Sequence, residues 1–234
     1  MTTAENKSIG NLDELFAVGA HFGFGKSRRH PSTNQFLFGS KNKVDIFDLE
    51  KTAEALEKAC AFVTSVGENR AVILFVGGKN EAREVVQQAA ETAGMPYVAS
   101  RWIGGTLTNF SEIRKRVDTM LDLQSQKEKG ELAKYTKKER LLIDRDIAKL
   151  QKMYWGIKDM TALPKAIFIV DPRYEEIALR EGKRMNIPVV ALCGSDNNVN
   201  EVDYPIPGND SNKASIQLFV SKITEAYKKV NPKS

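Results

Sequence analysis

Two cysteines and two histidines are all the thiol and imidazole that the 234 residues offer toward a zinc site. Cys60, Cys193, His21 and His30 stand at unrelated spacings and make no recognisable zinc pattern. Both cysteines fall in apolar stretches, as small core residues of a reducing compartment do, and no disulfide between them is expected. No apolar run approaches the ~20 residues that span a bilayer. The start, Met1-Thr2-Thr3-Ala4-Glu5-Asn6-Lys7, has neither the basic opening nor the apolar run of a signal peptide. A cytoplasmic product that does not engage a membrane is the expectation. Neither a phosphate-loop motif nor a dinucleotide glycine fingerprint occurs. The histidines lack a Ser or Cys partner pattern, so a nucleophilic active site has no foundation in the sequence. No repeat of 20 to 50 residues is visible.

What is present describes an ordinary globular protein. Hydrophobic residues make up 41% and charged residues 28%, and the length allows one substantial core. The formal charge is +5. That mild basic excess fits a polyanion partner without requiring one.

Short apolar runs alternate with helical patterns. The runs are 71–76, 97–99, 166–170 and 189–193, with a further short strand near Val202 to Ile206. Strands that are apolar on both faces belong in a parallel sheet covered by helices on each side. Between them, apolar residues recur at helical spacing after Asp48, after Gly78 and from about Ser211. Asn11 is placed to cap an early short helix, with Glu14 three residues on. Gly67 and Gly94 are expected to close two helices. Asp171 is expected to cap the next one, with Pro172 at its first position. The sum is an α/β domain of flavodoxin-like order, three layers around a central parallel sheet. One segment breaks the rhythm. Residues 109–156 carry no strand pattern and read as two antiparallel helices with a coiled-coil-like seam. Asn109 and Glu112 suggest a capping box at their start. The expected organisation is therefore a globular domain of residues 1–108 and 157–234, with an inserted helical hairpin of 109–156.

Four stretches carry candidate chemistry. Gly77-Gly78-Lys79 sits between a strand and a helix; it is best read as a tight turn, with Lys79 able to reach an RNA phosphate. The loop from Lys26 to Lys43 holds Lys26, Arg28, Arg29, Lys41 and Lys43 and no acid, with phenylalanines interleaved. Such a loop can follow a phosphate backbone. Arg101-Trp102-Ile103-Gly104-Gly105 is read equally as an RNA grip through Arg101 and Trp102 and as a hinge with Trp102 packed. Arg114, Lys115 and Arg116 are consecutive cations; the other charges of the hairpin are mixed in sign, as on a solvated helix face. Asp171 and Asp196 fall at strand ends, where α/β enzymes place active sites, but turn and cap chemistry explains them better. A flavodoxin-like nucleotide- or small-molecule-binding enzyme is the alternative function class.

The order of several motifs resembles the bacterial ribosomal protein S2 family. The most specific are the run Arg101-Trp102-Ile103-Gly104-Gly105-Thr106-Leu107-Thr108-Asn109-Phe110 and the run Asp203-Tyr204-Pro205-Ile206-Pro207-Gly208-Asn209-Asp210. Shorter matches include Ala20-His21-Phe22-Gly23, Gly94-Met95-Pro96-Tyr97-Val98 and Val170-Asp171-Pro172-Arg173. The resemblance implies a flavodoxin-like domain with a helical insertion. It also implies a structural, non-catalytic part of the small ribosomal subunit without cofactor, metal or small-molecule substrate. The implied partners are small-subunit rRNA and neighbouring ribosomal proteins, among them the largest small-subunit protein, which recruits mRNA. The 25–35, 78–81 and 193–200 loops depart from the usual pattern of the family.

Overall fold

A computed structural model describes residues 11–231. Its centre is a five-stranded sheet made of the expected apolar runs: β4 (Ile73–Val76), β5 (Tyr97–Val98), β6 (Ala166–Val170), β7 (Val189–Cys193) and β8 (Tyr204–Pro207). The order is β5-β4-β6-β7-β8, and every pair is parallel. Counted from its own first strand this is 2-1-3-4-5, the doubly wound order of flavodoxin-like sheets. β4, β6 and β7 are buried along their whole length, because helices cover both faces.

The two faces have separate cores. On one, Phe75, Phe168 and Leu192 meet α2 (Leu49–Glu68), α3 (Asn80–Ala93) and α7 (Lys213–Val230). On the other, Leu74, Ile167, Ile169 and Ala191 meet α4 (Phe110–Glu128), α6 (Glu176–Arg184) and Trp102. α5 (Lys137–Tyr154) follows α4 in the chain, between β5 and β6. The two helices touch through a Gln151–Gln124 hydrogen bond of 3.2 Å and a Lys127–Asp144 ion pair of 2.7 Å. The start of α5 carries a capping box of Thr136 and Glu139. Cys60 and Cys193 are both buried free thiols, and burial pushes Cys60 up to about 12.

Several local expectations need correction. The stretch 26–43 is not an open loop. It holds two short 3-10 helices, Lys26–Arg28 and Pro31–Phe36, and then the middle-numbered strand of a second, antiparallel sheet of β1 (Phe22–Gly25), β2 (Leu37–Lys41) and β3 (Val44–Phe47), ordered β1-β3-β2. Asn42 and Lys43, at φ of 53° and 64°, form the two-residue turn between β2 and β3. Gly67 lies inside α2, whose C-cap is Asn69. It is small because Val230 and Tyr227 of α7 pack directly on it. Asn109 precedes α4 but makes no side-chain cap, and Glu112 pairs with Lys115 instead. Asp171 does not cap α6, which begins five residues later. Its Oδ1 accepts from the Arg173 and Tyr174 N–H groups and so shapes the turn that leads there. Asn11, by contrast, caps α1 (Leu12–Ala17) as expected, and Gly94 closes α3 in the left-handed conformation.

Candidate nucleic-acid interface

The carboxyl ends of parallel strands are where doubly wound sheets commonly hold ligands. Here the small antiparallel sheet lies over that edge. Ser195, just after β7, is the pin: its Oγ accepts from the Phe24 N–H at 2.8 Å, and its carbonyl accepts from the His30 N–H and the Thr33 hydroxyl at 2.9 and 3.0 Å. Beneath the Phe24 ring lies a network of ion pairs. Lys79 Nζ reaches Asp171 Oδ2 at 3.2 Å and Asp210 Oδ2 at 3.5 Å, and stands 5.6 Å from the centre of the Phe24 ring. Burial works against the Lys79 charge, but the carboxylates of Asp210 and Asp171 outweigh it and hold its pKa above the ordinary value. One ammonium cannot satisfy so many acids. Burial and the neighbouring Asp171 push Asp210 up to about 7. Lys79 is thus a partner of the sheet's own acids rather than an exposed phosphate contact.

The two arginines of the basic stretch divide in a similar way. Arg28 and Arg173 both donate to Oδ2 of the buried Asp196, at 2.8 and 2.7 Å, and Arg28 also lies 4.2 Å from the Phe24 ring centre. More than half of each arginine side chain remains exposed. Arg29 forks onto Asp45, which is fully buried, and donates to Ser40 Oγ at 2.7 Å. The Arg29 hydrogen bond overcomes burial and holds the Asp45 carboxyl below its usual range. Arg28 and Arg29, which have no matching acid inside the 26–43 window, are therefore balanced from outside it, by Asp196 and Asp45.

The surface charge that stays available belongs to other residues of the basic set. Lys26, Lys41 and Lys43 are exposed and enter no ion pair among the described residues. They cluster, because the Lys26 N–H bonds to the Lys43 carbonyl at 2.8 Å and Lys41 is registered against Val44 across the turn. Arg101 and Arg116 are exposed as well. Lys115 is exposed but held by Glu112 at 2.6 Å. Arg114 is drawn inward: it donates to the Lys158 carbonyl at 2.6 Å and pairs with Asp118 at 3.0 Å.

Trp102 is packed, with 4% of its surface exposed. Its indole N–H donates to Glu181 Oε1 at 3.1 Å. The same carboxylate accepts from the N–H groups of Gly105, Leu107 and Thr108 at 2.7, 3.0 and 3.2 Å, and from the Thr108 hydroxyl. One buried acid on α6 thus folds the whole 102–108 turn around itself, and Arg101 projects from its beginning. Of the two interpretations open for Trp102, the packed anchor is the one its surroundings match. Glu181 and Arg173 carry no local signal in the sequence, because their carboxylate and guanidinium act on residues distant in the chain, and Asp45 lies just outside the basic stretch it answers.

Comparison with known proteins bears on the whole chain. The family model described as "Ribosomal protein S2" matches residues 15–230. The chain belongs to the ribosomal protein S2 family. Relatives of this S2-family chain include proteins from three strains of Dehalococcoides mccartyi, each called "Small ribosomal subunit protein uS2". Each is 42% identical over 216 residues, covering 92% of this chain and 88% of the relative. The match thus includes the small sheet, the large sheet and the two helices between β5 and β6. Among the described residues of this S2 chain, no helix is long and apolar enough to cross a membrane.

Proposed function

We infer that this chain is a structural constituent of the small ribosomal subunit and that its binding partners there are rRNA and neighbouring ribosomal proteins. The observation that carries this is membership of the S2 family over residues 15–230. The chemistry agrees. Attraction between lysine or arginine and phosphate supplies most of the affinity in such complexes, and a rigid surface supplies register. Lys26, Lys41, Lys43, Arg101, Lys115 and Arg116 are the outward cations through which rRNA is held. Arg28 contributes its exposed half. Arg29, Lys79, Arg114 and Trp102 act beneath them, as the ion pairs and packing that fix the surface. α4 and α5 form a projecting helical hairpin, a module inserted between β5 and β6 that extends the reach of the globular part. The largest small-subunit protein, which recruits mRNA, is the protein neighbour that the family resemblance favours. The enzyme alternative gains no support, since the sheet edge that would hold a nucleotide is packed by Phe24, Ser195 and the Lys79 ion pairs. Sedimentation tests the proposal. The chain should co-sediment with small subunits, stay bound through a moderate salt wash and be stripped in high salt. Recovery of the chain only in the ribosome-free fraction at low salt would refute it.

A further inference from the structure

The open side of β5 combines cations with aromatic rings. A hollow of about 450 Å³ lies between α3, β5 and the end of α5. It shares Tyr97, Trp155 and Gly156 with a second hollow of about 620 Å³ on one side. On the other side it shares Ser100, Lys152 and Met153 with a third of about 320 Å³. The three hollows adjoin one another through these shared residues, as a segmented trough. Arg70, Arg83, Arg101, Lys152, Lys158 and Lys165 stand on its walls, against the acids Glu84, Glu91 and Asp159. Two of those acids are already engaged: Glu84 by Lys213 at 2.5 Å, and Glu91 by the Tyr97 hydroxyl at 2.8 Å.

The floor is rigid and aromatic. A Cβ on Gly156 would stand 2.2 Å from the Tyr97 carbonyl oxygen, so only glycine lets the chain after α5 press onto the edge strand. That close approach sets Trp155 beside Tyr97. Lys158 Nζ lies 3.8 Å from the centre of the Trp155 ring and makes no ion pair among the described residues. A lysine resting on an indole is held by the ring's charge distribution, and it can leave when a better partner for both groups arrives. A stacked base is such a partner for the ring, and the phosphate next to that base is one for the ammonium.

We propose that this trough holds a single-stranded or bulged RNA segment, with one unstacked base lying on Trp155 and its flanking phosphates on Lys152, Lys158, Arg83 and Arg101. Stacking on an aromatic platform within a basic groove is how proteins hold unpaired strands. Duplex RNA cannot use it, since its bases are already stacked and its readable groove is too shallow to deliver one to a recessed ring. The proposal rests on the RNA-binding role inferred above and gives that role a specific site and a preferred form of RNA.

The test uses the full chain and intrinsic tryptophan fluorescence. Trp102 is buried, so quenching by a stacked base reports on Trp155. A short oligoadenylate should quench, whereas a duplex of the same length should bind with little quenching. Trp155→Leu should remove the quenching and weaken oligoadenylate binding roughly ten-fold, while Trp155→Phe keeps most of the affinity. Should Trp155→Leu fail to fold, Lys152→Gln with Lys158→Gln decides: it keeps Trp155 and both aliphatic stems and should lower the salt slope by about 1.4 units. Oligoadenylate binding that neither quenches nor responds to these changes would overturn the trough while leaving the RNA-binding role intact. Equal quenching by polyglutamate would assign the trough to an acidic protein segment and overturn the proposal. Failure of the intact chain to bind any RNA would overturn both.

Discussion

Two glutamates six residues apart illustrate how little burial alone decides. Glu175 and Glu181 are both nearly inaccessible to solvent. Glu181 is opposed by burial, but the N–H groups of Leu107 and Gly105, the indole of Trp102 and the N–H of Thr108 overcome it and hold its pKa below the ordinary range. Glu175 receives one hydrogen bond, from the Gly78 N–H at 2.8 Å. Burial wins there, and with the nearby Asp171 charge it pushes Glu175 up to about 7. The sign of the linkage follows. A carboxyl whose folded value lies above its ordinary value of about 4.3 binds its proton more tightly when folded. Its contribution to stability is full below the ordinary value and is lost as pH rises through about 7. Glu175→Gln keeps an oxygen for the Gly78 N–H and removes the titration. The variant should match the parent in thermal melts at about pH 4 and exceed it by roughly 3 to 4 kcal/mol at about pH 8. A parent and variant that differ equally at both pH values would show that Glu175 is ionised in the fold throughout.

At the level of elements, the sequence was most legible where one local rule governed a whole segment. β4, β6 and β7 are apolar on both faces, and their places between helices could be read directly from composition. The small sheet was not legible in this way. β1 and β2 are short, rich in glycine and phenylalanine and only partly buried, so no alternation marks them. What orders β1 is Ser195, 171 residues from Phe24. Residues 109–156 fall between these cases. Their helices follow from spacing, but the division of labour along them does not. Ile113, Val117, Met120 and Tyr154 belong to the core of the large sheet, whereas Leu132 and Ile147 are buried outside it. Removing the whole of 109–156 would therefore strip one face of the sheet. Replacing 125–150 with a short glycine-rich linker should not, because Gln124 and Gln151 are already hydrogen-bonded partners and the closure is short. The trimmed chain should keep a cooperative melt within about 2 kcal/mol of the parent and enter small subunits less well. If it enters them as well as the intact chain does, the outer half of α4 and α5 is a solvated appendage rather than a binding module.

Across the whole molecule, the net charge of +5 says less than where the cations are tied down. A window of sequence displays the basic stretch of 26–43 but not the acids that answer it. Asp45 lies just beyond that window, and Asp196 lies 168 residues from Arg28. Family membership was legible from ordered motifs alone, since it depends on residue identity and not on spatial neighbours. The set of available cations was not legible, since each depends on a neighbour supplied by the fold. This separates the basic residues into two groups with opposite consequences. Arg29 neutralises an inaccessible carboxylate, and its removal would leave a buried charge unpaired, at a cost of about 3–5 kcal/mol. Lys26, Lys41 and Lys43 form no ion pair among the described residues. Replacing all three with glutamine keeps the stems and leaves Lys43's left-handed position in the turn to a residue of similar backbone preference. Stability should change by less than about 1 kcal/mol. Affinity for small-subunit rRNA should fall at low salt. The slope of log affinity against log salt should become shallower by about 0.7 to 0.9 for each phosphate that is no longer neutralised, or roughly two units in all. Melting curves and a salt titration on the same preparations measure both. An unchanged slope would mean that the turn between β2 and β3 faces solvent, and that the rRNA lies against Arg101, Arg116 and the side of the molecule around β5.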